Sequence, residues 1–208
     1  MSMPKALTRD ELQAQTREIV LAAAEKVFLQ KGFHATTVAQ IAAEAGRTQG
    51  SIYSNFESKD ALCRRLLRHH YEGWLAEVGV ALMAADGTSA KLQVIETKWP
   101  LLSGETDWAA LTAEYLLAAR HNPEQAEQIR ETISNLQLGV KGVLVGQLEI
   151  EGIAAERHPL VDDAVAELVA VGMGLVVNQT LGLIEAGQST RLLMQTIETW
   201  RDRLSAPV

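Results

Sequence analysis

Apolar residues recur at helical spacing through most of the chain, beginning with Ile19, Ala23 and Val27 at positions i, i+4 and i+8. No run of residues alternates apolar with polar between turn signals, as a half-buried strand would. Proline, which interrupts helices, occurs only five times in 208 residues. The pattern therefore predicts an all-α protein.

The first helix is marked at both ends by capping residues. Thr8 and Glu11 have the spacing of a capping box, in which the hydroxyl and the carboxylate each accept a backbone N–H of the first turn. Gly32 can take the left-handed conformation that ends many helices. We therefore expect this helix to begin just after Thr8 and to end at Gly32.

Two short helices joined by a tight turn are predicted next. Thr37 and Gln40 repeat the capping-box spacing, and Gly46 is placed to end the helix that they begin. Thr48 is placed to cap a third helix only two residues later, so the connection is too short for antiparallel packing. Ser58 is placed to cap a fourth, longer helix. The segment is thus a predicted helix-turn-helix.

The predicted third helix has one apolar side and one polar side. Ile52 and Phe56 share the inward stripe. Polar residues at or near the helix start are left outward: Arg47, Thr48, Gln49, Ser51 and Tyr53. Glutamine pairs with adenine through two hydrogen bonds, and arginine pairs with guanine or a phosphate. These residues are candidates for contacts with DNA, and the alternative is a solvated face that happens to be polar.

One stretch, from Ile19 to Leu62, carries a pattern that is recognisable as a whole. Its residues are Ala22-Ala23, Phe28, Gly32-Phe33, Thr37-Val38, Ile41-Ala42, Ala45-Gly46, Gly50, Ile52-Tyr53, Phe56, Ser58-Lys59 and Leu62. In order, spacing and chemistry they resemble the DNA-binding domain of the tetracycline-repressor (TetR) family. The resemblance covers about a quarter of the chain.

The resemblance implies an all-helical homodimer that binds a palindromic operator in double-stranded DNA, represses transcription and is released by a small-molecule effector. Its domains would be residues 1–62, a three-helix domain for DNA binding, and residues 63–208, a helical bundle for ligand binding and dimerisation. The expected DNA contacts are Thr37, Arg47, Thr48, Gln49, Gly50, Ser51, Tyr53 and Lys59. No catalytic residue, metal site or cofactor is expected.

Lys59 is a candidate phosphate contact for a second reason. A cation in the first turn of a helix opposes the helix dipole, at a cost of some tenths of a kcal/mol. A DNA phosphate bound at the same helix start would offset that cost. The resemblance implies phosphate contacts for Lys59 and for Tyr53. Asp60, an acidic residue in the same first turn, partly offsets the unfavourable interaction of Lys59 with the helix dipole. The alternative is therefore a surface lysine that makes no contact with DNA.

Beyond this pattern, the periodicity predicts five longer helices, at 89–102, 107–122, 123–151, 161–186 and 190–204. The 161–186 helix is apolar on nearly every side, so it must be buried all round. Gly172, Gly174 and Gly182 each destabilise a helix unless another backbone approaches closely. We expect this helix and the 190–204 helix to pair with their twofold mates in a four-helix bundle, with burial inside one chain as the alternative.

Four residues of the second domain are candidate ligand contacts. Trp99, Trp108 and Tyr115 are large aromatics, and Asn178 is a polar group in an apolar helix. Ligand cavities are mostly apolar with a few placed polar groups, so these residues predict a mostly apolar, aromatic-walled cavity. For each of them, the alternative is a core aromatic or an interhelical hydrogen bond.

Charge is distributed unevenly along the chain. The net charge is -7, but residues 1–68 hold ten basic and seven acidic residues, a net charge of +3, and the remainder carries -10. This asymmetry permits phosphate contact by the N-terminal domain and disfavours it for the rest.

Other chemistry is sparse. The single cysteine, Cys63, rules out an intrachain disulfide framework and is typical of a reducing compartment. A redox role for its thiol competes with burial as a structural thiol. The longest nearly apolar run is ten residues, whereas a bilayer span needs about 20. The start of the chain does not resemble a signal peptide, so we expect a cytoplasmic protein without a membrane partner.

Two other functions compete with ligand-responsive regulation. An enzyme with an appended DNA-binding domain is disfavoured, because no nucleophile motif, phosphate loop, metal site or acid–base pair is evident. A DNA-binding adaptor, controlled by a protein partner or by nothing, differs from the leading hypothesis only in lacking a small-molecule effector.

Overall fold

The computed structural model describes residues 8–150, 152–153 and 160–206. Within them the chain forms α-helices and a single 3-10 turn, Ala119–His121, with no strand. The helices are α1 (Arg9–Ala35), α2 (Val38–Glu44), α3 (Gln49–Tyr53), α4 (Lys59–Ala84), α5 (Gly87–Ser103), α6 (Thr106–Ala118), α7 (Pro123–Ile150), α8 (Val161–Thr180) and α9 (Ala186–Ser205). The predicted all-α fold is confirmed.

The chain divides into two compact units, Met1–His69 and His70–Val208. The division falls inside α4, whereas the sequence analysis placed the boundary after residue 62. The first unit holds α1, α2, α3 and the start of α4. The second holds the rest of α4 and the five helices that follow.

The first unit begins with the predicted capping box. The Thr8 hydroxyl accepts from the Glu11 N–H at 3.3 Å, and the Thr8 N–H donates to the Glu11 carboxylate at 2.6 Å. The predicted break at Gly32 is present, and a short helical stretch follows it to Ala35. Gly32 takes a non-helical conformation (φ 77°, ψ 174°) that kinks the helix, which then resumes to Ala35.

The core of the first unit is built from one face of each of its helices. Its most buried side chains, each at most 2 % exposed, are Val20, Ala24, Phe28, Ile41, Ile52, Leu62 and Cys63. Each α2 and α3 side chain in this list lies on the inward stripe that the sequence predicts. The short helices therefore owe their stability to packing, because helices of five to seven residues are unstable alone.

The second unit contains two clusters of buried apolar side chains. One joins α7, α8 and α9 through Leu148, Val165 and Trp200. The other joins α5, α8 and α9 through Trp99, Leu175 and Leu193. Both clusters include residues of α8 and α9.

The predicted 161–186 helix is shorter than expected, because α8 ends at Thr180. Gly182 has φ 68°, and the N–H groups of Gly182 and Leu183 donate to the carbonyls of Gln179 and Asn178. These two bonds are a Schellman motif, which satisfies the last carbonyls of a helix. Gly182 is therefore a helix end, and not a helical glycine that another backbone approaches.

Within one chain, α8 is buried on one side only, so burial inside a single chain, the alternative given above, does not cover every side of it. Val161, Ala164, Val165, Val169 and Leu175 are buried. On the opposite side, Met173 and Val177 are 36 % and 40 % exposed. The helix therefore keeps an apolar face that this chain alone leaves uncovered.

Candidate nucleic-acid interface

The turn between α2 and α3 is fixed by capping at both of its ends. Gly46 takes φ 60°, and the N–H groups of Gly46 and Arg47 donate to the carbonyls of Ala43 and Ala42 in a second Schellman motif. Thr48 then caps α3, because its hydroxyl accepts from the Ser51 N–H at 3.2 Å. The predicted end of α2 at Gly46 and the predicted start of α3 at Thr48 are confirmed.

The third helix is held in the unit by one residue. Ile52 is the buried residue of α3, only 2 % exposed, whereas Gln49, Gly50 and Tyr53 are exposed. Asn55 extends the helix end, since its amide donates to the Ser51 carbonyl at 2.9 Å. This anchoring presents the N-terminal turn of α3 to the outside.

The residues predicted to contact DNA lie at that surface with two exceptions. Those whose side chains or backbone are exposed are Thr37, Arg47, Thr48, Gln49, Gly50 and Tyr53. Arg47 to Tyr53 form one continuous segment, while Thr37 caps α2, where its hydroxyl accepts from the Gln40 N–H. Ser51 is half-buried, and so is Lys59.

Lys59 lies in a different environment from the one assumed above. Its ammonium donates to the carbonyls of Phe33 at 2.8 Å and Thr36 at 3.0 Å and lies 4.3 Å from the centre of the Phe33 ring. Two carbonyl oxygens thus offset the unfavourable dipole interaction that had pointed to a phosphate. The phosphate contact stays a prediction, but that reason for it is removed.

Sequence reasoning missed Phe33 and Thr36 as partners of this lysine. Backbone carbonyls are common to all residues, so no residue type signals which of them binds a cation. The buried hydroxyl of Thr36, which donates to the Gly32 carbonyl at 2.7 Å, is equally invisible in the sequence. The kink at Gly32 is what brings these groups to the end of α1.

The four candidate ligand residues do not come together as one cluster. Trp99 is 6 % exposed, and its indole N–H donates to the Ser189 hydroxyl at 2.9 Å. Asn178 is exposed, and its amide donates to the Gly174 carbonyl of its own helix at 2.8 Å. Asn178 therefore needs no partner from a ligand or a neighbouring helix.

The other two aromatics occupy α6. Trp108 stacks face to face on His70, with ring centroids 4.0 Å apart and planes within 5°. His70 also pairs with Glu105 at 2.9 Å. Tyr115 is only 2 % exposed. His70 thus links α4 to α6 within the second unit. No motif or spacing in the sequence signals this role.

Three other features of the described residues concern metal binding, membrane insertion and the single cysteine. No group of His, Cys, Asp and Glu in residues 8–150, 152–153 and 160–206 has an arrangement suited to a metal ion. None of the helices described there has the length and apolar content of a membrane span. Cys63 is fully buried, as expected for a structural thiol.

Comparison with known proteins identifies the first unit. The family described as "Bacterial regulatory proteins, tetR family" matches residues 20–66, which run from α1 into α4. Residues 20–66 thus carry a TetR-family DNA-binding segment. The chain is 52 % identical over 46 residues to the transcriptional repressor BepR of Brucella suis, an alignment that covers 22 % of each protein. Less than a third of that relative is thus matched.

Two longer matches extend over the second unit of the chain. A transcriptional repressor of Mycobacterium tuberculosis is 24 % identical over 196 residues, covering 94 % of this chain and 95 % of that one. The crystal structure of a putative transcriptional regulator from Rhodococcus sp. RHA1 has a TM-score of 0.72 at 18 % identity, over 88 % of this chain and 96 % of that one. The family consists of transcription regulators and not enzymes, as the sequence predicted.

Proposed function

We propose that this chain is a ligand-responsive transcriptional repressor of the TetR family, which binds a palindromic operator as a homodimer and releases it when a small molecule binds the second unit. The observation that carries the proposal is the presentation of α3. Its N-terminal turn is exposed and polar, while Ile52 anchors its other side in the core. In helix-turn-helix proteins, that turn contacts base edges in the major groove.

Individual roles follow from side-chain chemistry and exposure. Gln49, the first residue of α3, is exposed and is the candidate for paired hydrogen bonds with adenine. Arg47 lies in the preceding turn, where it suits a guanine or a phosphate. Tyr53 is 54 % exposed, and its phenol is placed for a phosphate oxygen. Thr37, Thr48, Gly50 and Ser51 complete the proposed surface.

A homodimer is supported by the uncovered side of α8. Ala166, Ala170, Met173 and Val177 are exposed there and follow one another at intervals of four, three and four residues, which places them on one face of the helix. An apolar stripe of this kind is typical of helix–helix interfaces in bundles. A second copy of α8 is the partner that twofold symmetry supplies.

An effector site in the second unit is supported by buried polar groups. The Ser103 hydroxyl and the Gln125 side-chain amide nitrogen are buried, and among the described residues neither has a hydrogen-bond partner. Such groups are costly in an apolar interior unless water or a ligand satisfies them. To release DNA, the effector must bind the DNA-incompetent conformation more tightly, because equal affinity for both conformations shifts nothing.

The experiment is a selection of operator sequences from random DNA by the purified protein, followed by titration of the selected and a scrambled duplex. We expect a palindrome with half-sites about 34 Å apart, or a multiple of it. Gln49→Ala should weaken binding to the selected duplex by about 1 to 3 kcal/mol and leave the scrambled duplex nearly unaffected. Gln30→Ala, an exposed glutamine on α1, is the matched control.

Two outcomes would count against this function. If no sequence is enriched, or if Gln49→Ala and Gln30→Ala behave alike, α3 is not the recognition helix. If operator binding holds but no compound in a thermal-shift screen stabilises the protein or releases the DNA, the chain is an adaptor without an effector. A ligand at a hundred times its Kd should stabilise the protein by about 2.7 kcal/mol.

A further inference from the structure

The ammonium of Lys59 joins two points that are far apart in the sequence. Lys59 is the first residue of α4, and its carbonyl partners, Phe33 and Thr36, lie at the end of α1 and just beyond it. The Phe33 ring lies beneath the same ammonium, in cation–π geometry. A lysine has three N–H donors, and two of them are used on these carbonyls.

These bonds close the helix-turn-helix into a loop. Residues 37–58, which contain α2 and α3, begin just after Thr36 and end just before Lys59. The acceptor end of the loop is itself fixed, because Thr36 is 1 % exposed and its hydroxyl bonds the Gly32 carbonyl. Both ends of the DNA-contacting segment are therefore held at one position by a single side chain.

We propose that Lys59 is a positioning residue of the DNA interface. It sets the orientation of α3 by joining the two ends of the segment that carries it, and it affects DNA affinity through that geometry. Leaving these carbonyls would break two charge-assisted hydrogen bonds and the contact with the Phe33 ring. The effect on DNA rests on the proposed function, but the hydrogen bonds from Lys59 to the Phe33 and Thr36 carbonyls are a property of the free protein.

The test compares Lys59→Met with Lys59→Arg and Lys31→Met. Methionine keeps much of the length of the lysine but donates no hydrogen bond, while arginine keeps the charge and offers donors to both carbonyls. Lys31→Met removes a cation from an exposed position of the same unit and controls for the change in charge. Amide exchange is followed in the free protein, and DNA binding is titrated at several salt concentrations.

For Lys59→Met we expect faster amide exchange at residues 33–38 and about tenfold weaker binding of the selected operator. The ratio of operator to scrambled affinity should fall, and the dependence of affinity on salt should equal that of Lys31→Met. Lys59→Arg should recover part of both the exchange protection and the affinity. Lys31→Met should keep wild-type exchange and sequence preference.

The opposite pattern would overturn the proposal. A phosphate contact predicts unchanged exchange, unchanged sequence preference and a salt slope lower than that of Lys31→Met by about one. Phe33→Leu gives a second route, because Phe33 is buried and does not reach DNA, yet it should shift sequence preference in the same direction. If wild-type protein enriched no DNA sequence, the proposed function would fail. The exchange data would still decide whether Lys59 joins the two ends of the segment.

Discussion

The indole of Trp99 shows how one buried polar group ties two helices of the second unit together. Its N–H on α5 donates to the Ser189 hydroxyl on α9 at 2.9 Å. The Ser189 side chain is fully buried, so water does not replace either partner. A bond of this kind contributes modestly when it is made, but leaving one partner unsatisfied is costly.

Ser189→Ala should therefore destabilise the protein by about 1 to 3 kcal/mol, because the indole N–H loses its acceptor inside the core. The free energy of unfolding is measured by urea denaturation. Ser205→Ala is the matched control on the same helix, since Ser205 is exposed and bonds only the Arg201 carbonyl. It should change stability by less than about 0.5 kcal/mol. Equal effects of the two substitutions would mean that the Trp99 bond carries no net energy.

Tyr71 gives the second unit a pH dependence in the alkaline range. Burial raises the pKa of its phenol above the ordinary value of 10.0, and the Glu105 carboxylate adds to this shift. A raised pKa in the folded state means that the phenol contributes stability below about pH 10. That contribution is lost as pH rises through the folded-state pKa.

Tyr71→Phe should accordingly be less stable than wild type at pH 8 and should approach it as the pH rises above 10. The loss at pH 8 should be small, about 1 kcal/mol, because Thr112 also donates to the Trp108 carbonyl and keeps a partner. Urea denaturation between pH 8 and 11 measures the difference, with Tyr53→Phe as the exposed control. Parallel stability curves for wild type and Tyr71→Phe would contradict the assignment.

At the scale of the helix, the glycines that end helices differ in kind from those inside them. Gly182 has φ 68°, with open space where a Cβ would lie. Gly142 lies within α7, also in open space, and has no positive φ. Alanine would therefore clash with nothing at either position, and only the backbone conformation distinguishes the two.

Opposite signs are expected for the two alanine substitutions. Gly182→Ala should destabilise the protein by about 1 to 2 kcal/mol, the cost of a left-handed conformation for an L-residue. Gly142→Ala should stabilise it by about 0.5 to 1 kcal/mol, because alanine is the better helix former. Thermal unfolding of both variants checks the pair. Destabilisation by Gly142→Ala would show that the open face of α7 is covered in the assembled protein.

The elements that the sequence predicts well are those with local signals. Capping by Thr8, Thr37 and Thr48 depends on residues three positions away, and all three caps are present. Apolar residues continue past the end of α8, so periodicity extends the predicted helix to residue 186. The local signal for the helix end is Gly182 followed by Leu183. Leu183 is 67 % exposed, so its hydrophobicity does not report burial.

Long-range contacts of single side chains were beyond sequence reasoning. The bond from Trp99 to Ser189 spans ninety positions, and neither residue type specifies the other as partner. The sequence predicts that the unfavourable interaction of Lys59 with the helix dipole is offset by another group. In the structure, that group is a pair of backbone carbonyls. Periodicity fixes which face of a helix is apolar, and it does not say whether the same chain or a second one covers that face.

At the scale of the whole molecule, the exposed apolar face of α8 is the surface through which we propose that two chains pair. In the proposed homodimer, two copies of the chain bring two recognition helices to two half-sites, so the operator affinity would depend on their association. The N-terminal 68 residues are net positive and the rest is strongly negative. Repulsion between the acidic second units must therefore be exceeded by apolar burial along α8 if they are to pair.

Met173→Glu should separate the proposed dimer, because it places a carboxylate in the middle of the α8 stripe, where a twofold axis brings its mate close. Sedimentation at micromolar concentration should change from twice the 22.7 kDa chain mass to the monomer mass, and operator affinity should fall far more than affinity for a half-site. Leu138→Glu is the matched control, since Leu138 is 65 % exposed on α7 and lies off the stripe. If both variants stay dimeric, or if wild type is a monomer that still binds a palindrome tightly, the interface lies elsewhere.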